Sequence, residues 1–407
     1  MAGGVKRILF VDDDVPVLEG LRARLRQMER RWAMTFVDSG ARALEALERE
    51  TYDVVVSDIR MPGMQGVTLL RTVSERWPAA VRIALSGYAD AQQTLQLAPI
   101  IHQFLSKPCE SPVLEDAIER CLELQELLPE PALRAVVGRI HRLPASRGTY
   151  TKLQTAMARE DVPAREVAQI VASDTVVAAK VLQMVNSAFF RRGKRVTNME
   201  QAVNYLGFNA VRSLVFSEEV FAQWPDRAGA PFLNLGKLQL HAHETMGAVH
   251  ALSERSLIAD DALLAALLHD IGYWILAHEC PHRLESAYTL ALEQQLPMHD
   301  AERLVMGASH AQIGAYLLGL WGLPPSVVEA IAYHHTPERL PEAKFEVLAA
   351  LALAHALAGP DDASAFNGSV SPDVRVDAAF LASLFTHLNW EYGERAATWL
   401  NARGADS

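Results

Sequence analysis

The sequence predicts an α/β domain built on a doubly wound, five-stranded parallel sheet, followed by an all-α region. Three observations predict it. Up to about residue 110, short β-rich runs alternate with longer helical segments, the pattern of parallel strands joined by right-handed crossovers. After Pro129-Glu130-Pro131 the apolar periodicity is helical almost throughout. The length, 407 residues, calls for two or three compact units instead of one core.

The expected strands are Arg7 to Val11, Met34 to Val37, Val54 to Ser57, Val81 to Leu85 and Phe104 to Leu105. In a parallel sheet of this kind, ligand chemistry gathers at the carboxyl ends of the strands. An amphipathic helix is expected from Val113 to Leu128, with Leu114, Ala117, Ile118, Cys121 and Leu122 on one face. Pro129 and Pro131 then stop it, because proline lacks an amide donor and restricts the residue before it. We therefore divide the chain at 1–128, 129–340 and 341–407. The last part holds a helix from Pro341 to Leu357, a polar stretch from Gly359 to Asp373, and a final helical stretch from Val376 to Arg403.

Composition narrows the function classes. Apolar types at 50% and charged types at 21% are globular values, which excludes wholesale disorder. The balance of 38 basic and 49 acidic side chains, a net charge of −11, disfavours a nucleic-acid binder that relies on bulk electrostatic attraction. Cys109, Cys121 and Cys280 suggest neither a disulfide framework nor a thiolate zinc site. Met1 to Arg7 leads into only a short apolar run, so no signal peptide is expected. The most apolar stretch, Ala262 to Ala277, is interrupted by His269 and Asp270, so no membrane insertion is expected either. A cytoplasmic protein is the expectation.

Asp12, Asp13 and Asp14 follow the first strand, Asp58 the third, Ser86 ends the fourth, and Lys107 follows the fifth. In the predicted sheet these positions converge on one edge and form one pocket. Closely spaced carboxylates repel unless a divalent cation neutralises them, and oxygen-only ligands favour Mg2+. A carboxylate beside a metal can attack a phosphoryl donor, which makes Asp58 the candidate nucleophile. Lys107 would then pair with the phosphoryl oxygens, and the Ser86 hydroxyl would donate to another oxygen.

Asp12 and Asp13 after Ile8-Leu9-Phe10-Val11, Asp58 within Ser57-Asp58-Ile59-Arg60-Met61-Pro62-Gly63, Ser86-Gly87 and Lys107-Pro108 together resemble the receiver domain of two-component response regulators, over roughly residues 5 to 125. The resemblance implies a CheY-like fold in which a sensor histidine kinase phosphorylates Asp58. It also implies that Asp13, Asp58 and the Arg60 carbonyl ligate Mg2+, with Asp12 acting through water. Ser86 and Phe104 match the hydroxyl and aromatic switch positions, Phe104 standing where tyrosine is common.

Asn186-Ser187-Ala188-Phe189-Phe190, Ala202, Leu206-Gly207 and Leu267-Leu268-His269-Asp270-Ile271-Gly272 resemble the HDOD output domain, a helical relative of HD phosphohydrolases, over roughly residues 131 to 340. His243, His269, Asp270, His310, His334 and His335 lie on predicted helices or their ends, and imidazole with carboxylate suits a second divalent metal that activates water. His241, two residues from His243, makes the first ligand ambiguous. The cyclic-dinucleotide phosphodiesterases of the same superfamily carry a lysine where Tyr273 stands, a Gly-Tyr-Pro motif after the paired histidines, and an aspartate where His355 aligns.

Two readings therefore stand. In one, phosphorylated Asp58 switches a helical half whose histidines are structural or vestigial, and which acts on a downstream signalling protein or enzyme, or through a second protomer, as a homodimer. In the other, the receiver gates a metal-dependent phosphodiesterase or phosphohydrolase, for example on cyclic di-GMP. A DNA-binding reading ranks last, since the short cluster Arg191, Arg192, Lys194 and Arg195 reads as a solvated charge run.

Overall fold

The computed structural model describes residues 5–86, 100–140, 143–145, 147–159, 161–186, 195–215, 221–223, 230–253, 259–337, 345–358 and 365–366. The first part is a parallel sheet of β1 Lys6–Val11, β2 Trp32–Val37, β3 Val54–Asp58, β4 Val81–Ser86 and β5 Gln103–Ser106, in the order β2-β1-β3-β4-β5. Around it lie the helices α1 Val15–Arg24, α2 Gly40–Arg49, α3 Gly66–Arg76 and α4 Ser111–Leu124. Alternate side chains divide between two cores, as the pleat requires. Ile8, Phe10, Val54, Val56 and Ile83 face α1 and α4, whereas Leu9, Val11, Val55, Ala84 and Phe104 face α2 and α3. The order turns back between β1 and β3, so the edge of the sheet beyond those two strands is the crevice that a doubly wound fold leaves for a ligand.

The helices of the second part are α5 Pro131–Gly138, α6 Arg147–Met157, α7 Ala164–Ala172, α8 Thr175–Asn186, α9 Met199–Leu206 and α10 Phe208–Val215. They continue as α11 Leu235–Ser253, α12 Ala259–Leu268, α13 Ile271–Glu279, α14 Pro281–Gln294, α15 Met298–Met306, α16 His310–Leu320, α17 Pro325–Tyr333 and α18 Phe345–Ala358. The region is not purely helical. Two three-residue strands, β6 Leu143–Ala145 and β7 Phe221–Gln223, pair in parallel. Strands this short have no period to read, and their partner lies far along the chain.

The α1/α4 core of the sheet runs without a break into the helical half. The helix α16 lies against α4, and a Cβ on Gly319 would come within 2.4 Å of the Leu124 side chain. Arg82 on β4, 1% exposed, adds a polar joint. Its guanidinium donates to the carbonyls of Ile100 at 2.6 Å and of Gly138 at 2.7 Å, so a sheet residue holds the end of α5. Of the polar stretch expected from Gly359 to Asp373, Ala365 and Phe366 are described, and both are buried. Phe366 is 4% exposed, bridges to Leu233 and stacks on Tyr288. The helix expected over Val376 to Arg403 lies outside the described residues.

Candidate functional site

The chain brings carboxylates to the sheet edge simply by ending strands there. Asp12 and Asp13 follow β1, Asp58 closes β3, and Lys107 follows β5, joined to Pro108 by a cis peptide. Asp12 is 1% exposed, and a carboxylate so placed needs partners. Lys107 Nζ supplies one, at 2.7 Å from Asp12 Oδ2 and 2.8 Å from Asp58 Oδ2. The second Asp12 oxygen accepts the amide of Asp14 at 3.1 Å, and Asp58 Oδ1 accepts the amide of Arg60 at 3.4 Å.

Donor oxygens of Asp12, Asp13 and Asp58 all lie within 4.8 Å of one another. Three carboxylates against the single Lys107 ammonium leave an excess of two negative charges in one crevice. That excess, presented by oxygen alone, fits a hard divalent cation. Burial by itself would lower the Lys107 pKa, but the hydrogen bonds and charges of Asp12 and Asp58 outweigh it and raise the value. The ammonium is therefore a fixed positive point beside Asp58. Asp14, which the sequence also sends toward the pocket, instead caps α1 by accepting the amide of Val17. Gly66 opens α3 hard against the Asp58 backbone, where a Cβ would sit 1.7 Å from the Asp58 carbonyl oxygen. Phe104 is buried on the α2/α3 side of the sheet. The Ser86 side chain and residues 187–194, with Arg191, Arg192 and Lys194, lie outside the described residues.

The second cluster is made by helices that cross closely. Gly272 permits it: a Cβ there would be 2.0 Å from the carbonyl oxygen of His310, so α13 and α16 touch backbone to backbone. Gly314, on the facing helix, would meet Ile271 and Gly272 in the same way. Asp270 and His310 are thereby set side by side, with Asp270 Oδ1 at 3.5 Å from His310 Nε2 and Asp270 Oδ2 at 3.2 Å from His269 Nε2. His334 and His335 enter from the end of α17 and His355 from α18, the rings of His269 and His334 lying 5.1 Å apart.

Of the two candidates on α11, the structure brings in His241 and not His243. The His241 ring lies 5.2 Å from that of His269 and 4.9 Å from that of His355. His243 is half-buried, and its Nδ1 donates to the Gln239 carbonyl at 2.7 Å. Two residues on a helix are about 200° apart, so only one of the pair can face inward. The buried stripe Leu238, His241, Thr245, Val249 identifies which, and that signal was available in the sequence. Glu302 on α15 was not anticipated. It is fully buried, and its Oε2 accepts both the amide of His310, at 2.7 Å, and His310 Nδ1–H, at 2.8 Å.

Burial pushes His334 and His355 well below the usual imidazole range, so both are neutral. Burial would lower His269 too, but the adjoining Asp270 carboxylate raises it and is itself held low by His269 and His310, despite its own burial. Elsewhere in the helical half, the Asn186 side chain pairs with the backbone of Val196. It accepts the amide of Val196 at 2.8 Å and donates to the Val196 carbonyl at 2.7 Å, the two-way bond that only an amide can make with a backbone.

Comparison with known proteins agrees with this geometry. The response regulator receiver domain family matches residues 8–119, and the HDOD domain family matches residues 143–337. An uncharacterized protein of Treponema pallidum is 25% identical over 240 residues, 58% of this chain and 46% of that protein. The hydrogenase transcriptional regulatory protein HoxA of Cupriavidus necator is 33% identical over 146 residues, 35% of this chain and 28% of that protein. The chain thus spans less than half the length of these relatives. Among solved structures, the MmoQ response regulator of Methylococcus capsulatus is 19% identical, with a TM-score of 0.47, covering 63% of this chain and 98% of that one. Among the described residues no helix is long and apolar enough to cross a membrane. A parallel sheet with an acidic crevice, joined to a helical half that carries the His269-Asp270 pair, and two family matches in that same order place the chain among the two-component response regulators, with a receiver domain followed by an HDOD domain.

Proposed function

We propose that the chain is a phosphorylation-controlled signalling protein of the cytoplasm, in which Asp58 is the phosphoacceptor and the HDOD half is the output. The observation that carries this reading is the double contact of Lys107 Nζ with Asp12 and Asp58, which fixes a cation next to the candidate nucleophile inside a carboxylate crevice. An Asp58 oxygen attacks the phosphorus of a phosphohistidine on the sensor kinase. The phosphorus–nitrogen bond breaks as the phosphorus–oxygen bond forms, and the histidine keeps the electron pair and takes up a proton. Asp13, Asp58 and the Arg60 carbonyl, with Asp12 acting through water, would hold Mg2+, which would supply charge neutralisation for the transferring group. Lys107 leaves its Asp58 contact for a phosphoryl oxygen, and Ser86 donates to a second.

The labour divides along the chain: 1–128 receives the phosphoryl group, 129–340 carries the output, and 341–407 extends the helical half. The output is contact with a downstream protein or a second protomer, not with DNA or a membrane. The joint between the halves supports this assignment, since α4 follows directly from the Lys107 strand and packs on α16.

The test is mass spectrometry after incubation with Mg2+ and a small phosphoryl donor such as acetyl phosphate. An acid-labile phosphoryl adduct on the Asp58 peptide, absent in Asp58→Asn, is expected. An unmodified Asp58 under conditions that phosphorylate a control receiver would defeat the reading.

A further inference from the structure

Three segments of the chain meet on one side chain. Arg82 on β4 is 1% exposed, and among the described residues no carboxylate pairs with it. Burial lowers its pKa from 12.5 to about 9, so the guanidinium is still charged at neutral pH. A buried cation without a counter-ion persists where fixed dipoles meet its donors. Nε donates to the Ile100 carbonyl at 2.6 Å, and Nη1 to the carbonyls of Ala80 at 3.2 Å and Pro78 at 3.4 Å. Nη2 donates to the Gly138 carbonyl at 2.7 Å and also faces the His102 ring, whose Nε2 lies 2.8 Å away.

The partners differ in what they belong to. Pro78 and Ala80 lie in the turn from α3 to β4, while Ile100 and His102 lead into β5, the strand that carries Phe104 and is followed by Lys107. Arg82 itself stands on the strand that sets Leu85 beside Asp58. Gly138 alone belongs to the helical half, as the last residue of α5. Its carbonyl is one of those that a helix C-terminus leaves without an intrahelical partner, and the macrodipole there favours a cation. The approach is close: a Cβ on Gly138 would come within 1.8 Å of the Pro78 carbonyl oxygen, so α5 rests backbone to backbone on the receiver turn.

The engaged fork coexists with a Lys107 ammonium committed to Asp12 and Asp58, a commitment that a phosphoryl group on Asp58 has to break. The bond to Gly138 therefore belongs to the state that phosphorylation displaces. We propose that Arg82 is a positioning residue that ties the unphosphorylated acceptor site to the first helix of the helical half, and that phosphorylation of Asp58 releases the tie. Lys107 follows the strand whose entry the fork grips at Ile100 and His102, so a shift of that strand competes with a fixed bond to Gly138. A planar guanidinium tolerates little displacement, because its donors are set in one rigid fork and hydrogen bonds weaken steeply off line. The inference rests on the reading of Asp58 as the phosphoacceptor.

The experiment titrates the full chain with beryllium fluoride, a phosphoryl mimic, in the presence of Mg2+. Calorimetry reads the affinity, and mass spectrometry reads amide exchange in α5. In the parent, saturation with the probe should speed exchange in the last turn of α5 by roughly fivefold or more. Arg82→Met, which keeps an apolar stem and removes the fork, should bind the probe roughly fivefold tighter than the parent or better, because the competing state has lost a bond. Gly138→Ala, which pushes α5 off the Pro78 carbonyl and leaves Arg82 in place, should also bind it tighter. A residue of purely structural importance would weaken binding or leave it unchanged. Equal or weaker binding in the folded variants would overturn the inference. So would α5 exchange that is unchanged or slower in the probe-bound parent, which decides the matter even where neither variant folds. A parent chain that does not bind the probe would overturn the phosphoacceptor reading, and the inference with it.

Discussion

Lys180 sits in the middle of α8, whose residues are buried from end to end, and among the described residues it pairs with no carboxylate. Its ammonium lies 4.1 Å from the centroid of the Trp321 ring and donates to Gln183 Oε1 at 3.0 Å. Burial lowers its pKa from 10.5 to about 7. At about 1.4 kcal/mol per pH decade, that gap corresponds to a penalty of roughly 5 kcal/mol against folding at neutral pH. Lys180→Met keeps the length of the chain and removes the penalty, while losing about 1 kcal/mol each for the hydrogen bond and the ring contact. The net expectation is a gain of roughly 2–3 kcal/mol, or roughly 2–4 °C in Tm.

The dependence on pH gives the sharper test. Below about pH 7 the amine is protonated in both the folded and the unfolded chain, and the penalty is complete. Between about 7 and 10.5 the unfolded chain keeps a proton that the folded chain has released, so the parent gains stability as pH rises and the advantage of the variant shrinks. Scanning calorimetry of both proteins at about pH 6, 8 and 9.5 measures this. An advantage that does not change with pH, or a variant less stable than the parent at pH 6, would refute the reasoning and mean that Trp321 and Gln183 keep the ammonium charged.

Two further outcomes follow from close contacts. Lys107→Ala removes the cation between Asp12 and Asp58, so by calorimetry Mg2+ should bind several-fold tighter, while the yield of phosphorylated Asp58 falls at least tenfold; unchanged values for both would mean that the ammonium is incidental. Gly272→Ala places a Cβ 2.0 Å from the His310 carbonyl oxygen, so α13 and α16 must separate at a cost of about 3 kcal/mol or more in urea unfolding; a variant within about 0.5 kcal/mol of the parent would contradict that contact.

The sheet was legible because buried parallel strands announce themselves as short apolar runs, and each expected run lies within the strand that forms. The acidic pocket was legible because its members are fixed by where strands end, which is a property of local sequence. The histidine cluster was only partly so. His269-Asp270 and His334-His335 stand out as neighbours, but Glu302 reads as one more surface acid until α15 turns it inward. Arg82 is hidden for the opposite reason. An arginine between Val81 and Ile83 suggests an edge or a solvent face, and its burial is made tolerable by the nearby carbonyls of Pro78 and Ala80 together with the ring of His102 and the carbonyls of Ile100 and Gly138, which are remote in sequence. The β6/β7 ribbon and the return of Phe366 depend on partners far along the chain, which no local pattern encodes.

The helix His310–Leu320 begins with a cluster histidine and ends beside Gly319, which lies against the receiver's Leu124. Eleven residues make a stiff rod roughly 16 Å long, with no proline to bend it. One continuous helix thus connects the receiver's surface with the imidazoles. If a change of state at the receiver end shifts occupancy at the far end, thermodynamic reciprocity requires that occupancy there shift the receiver by the same factor.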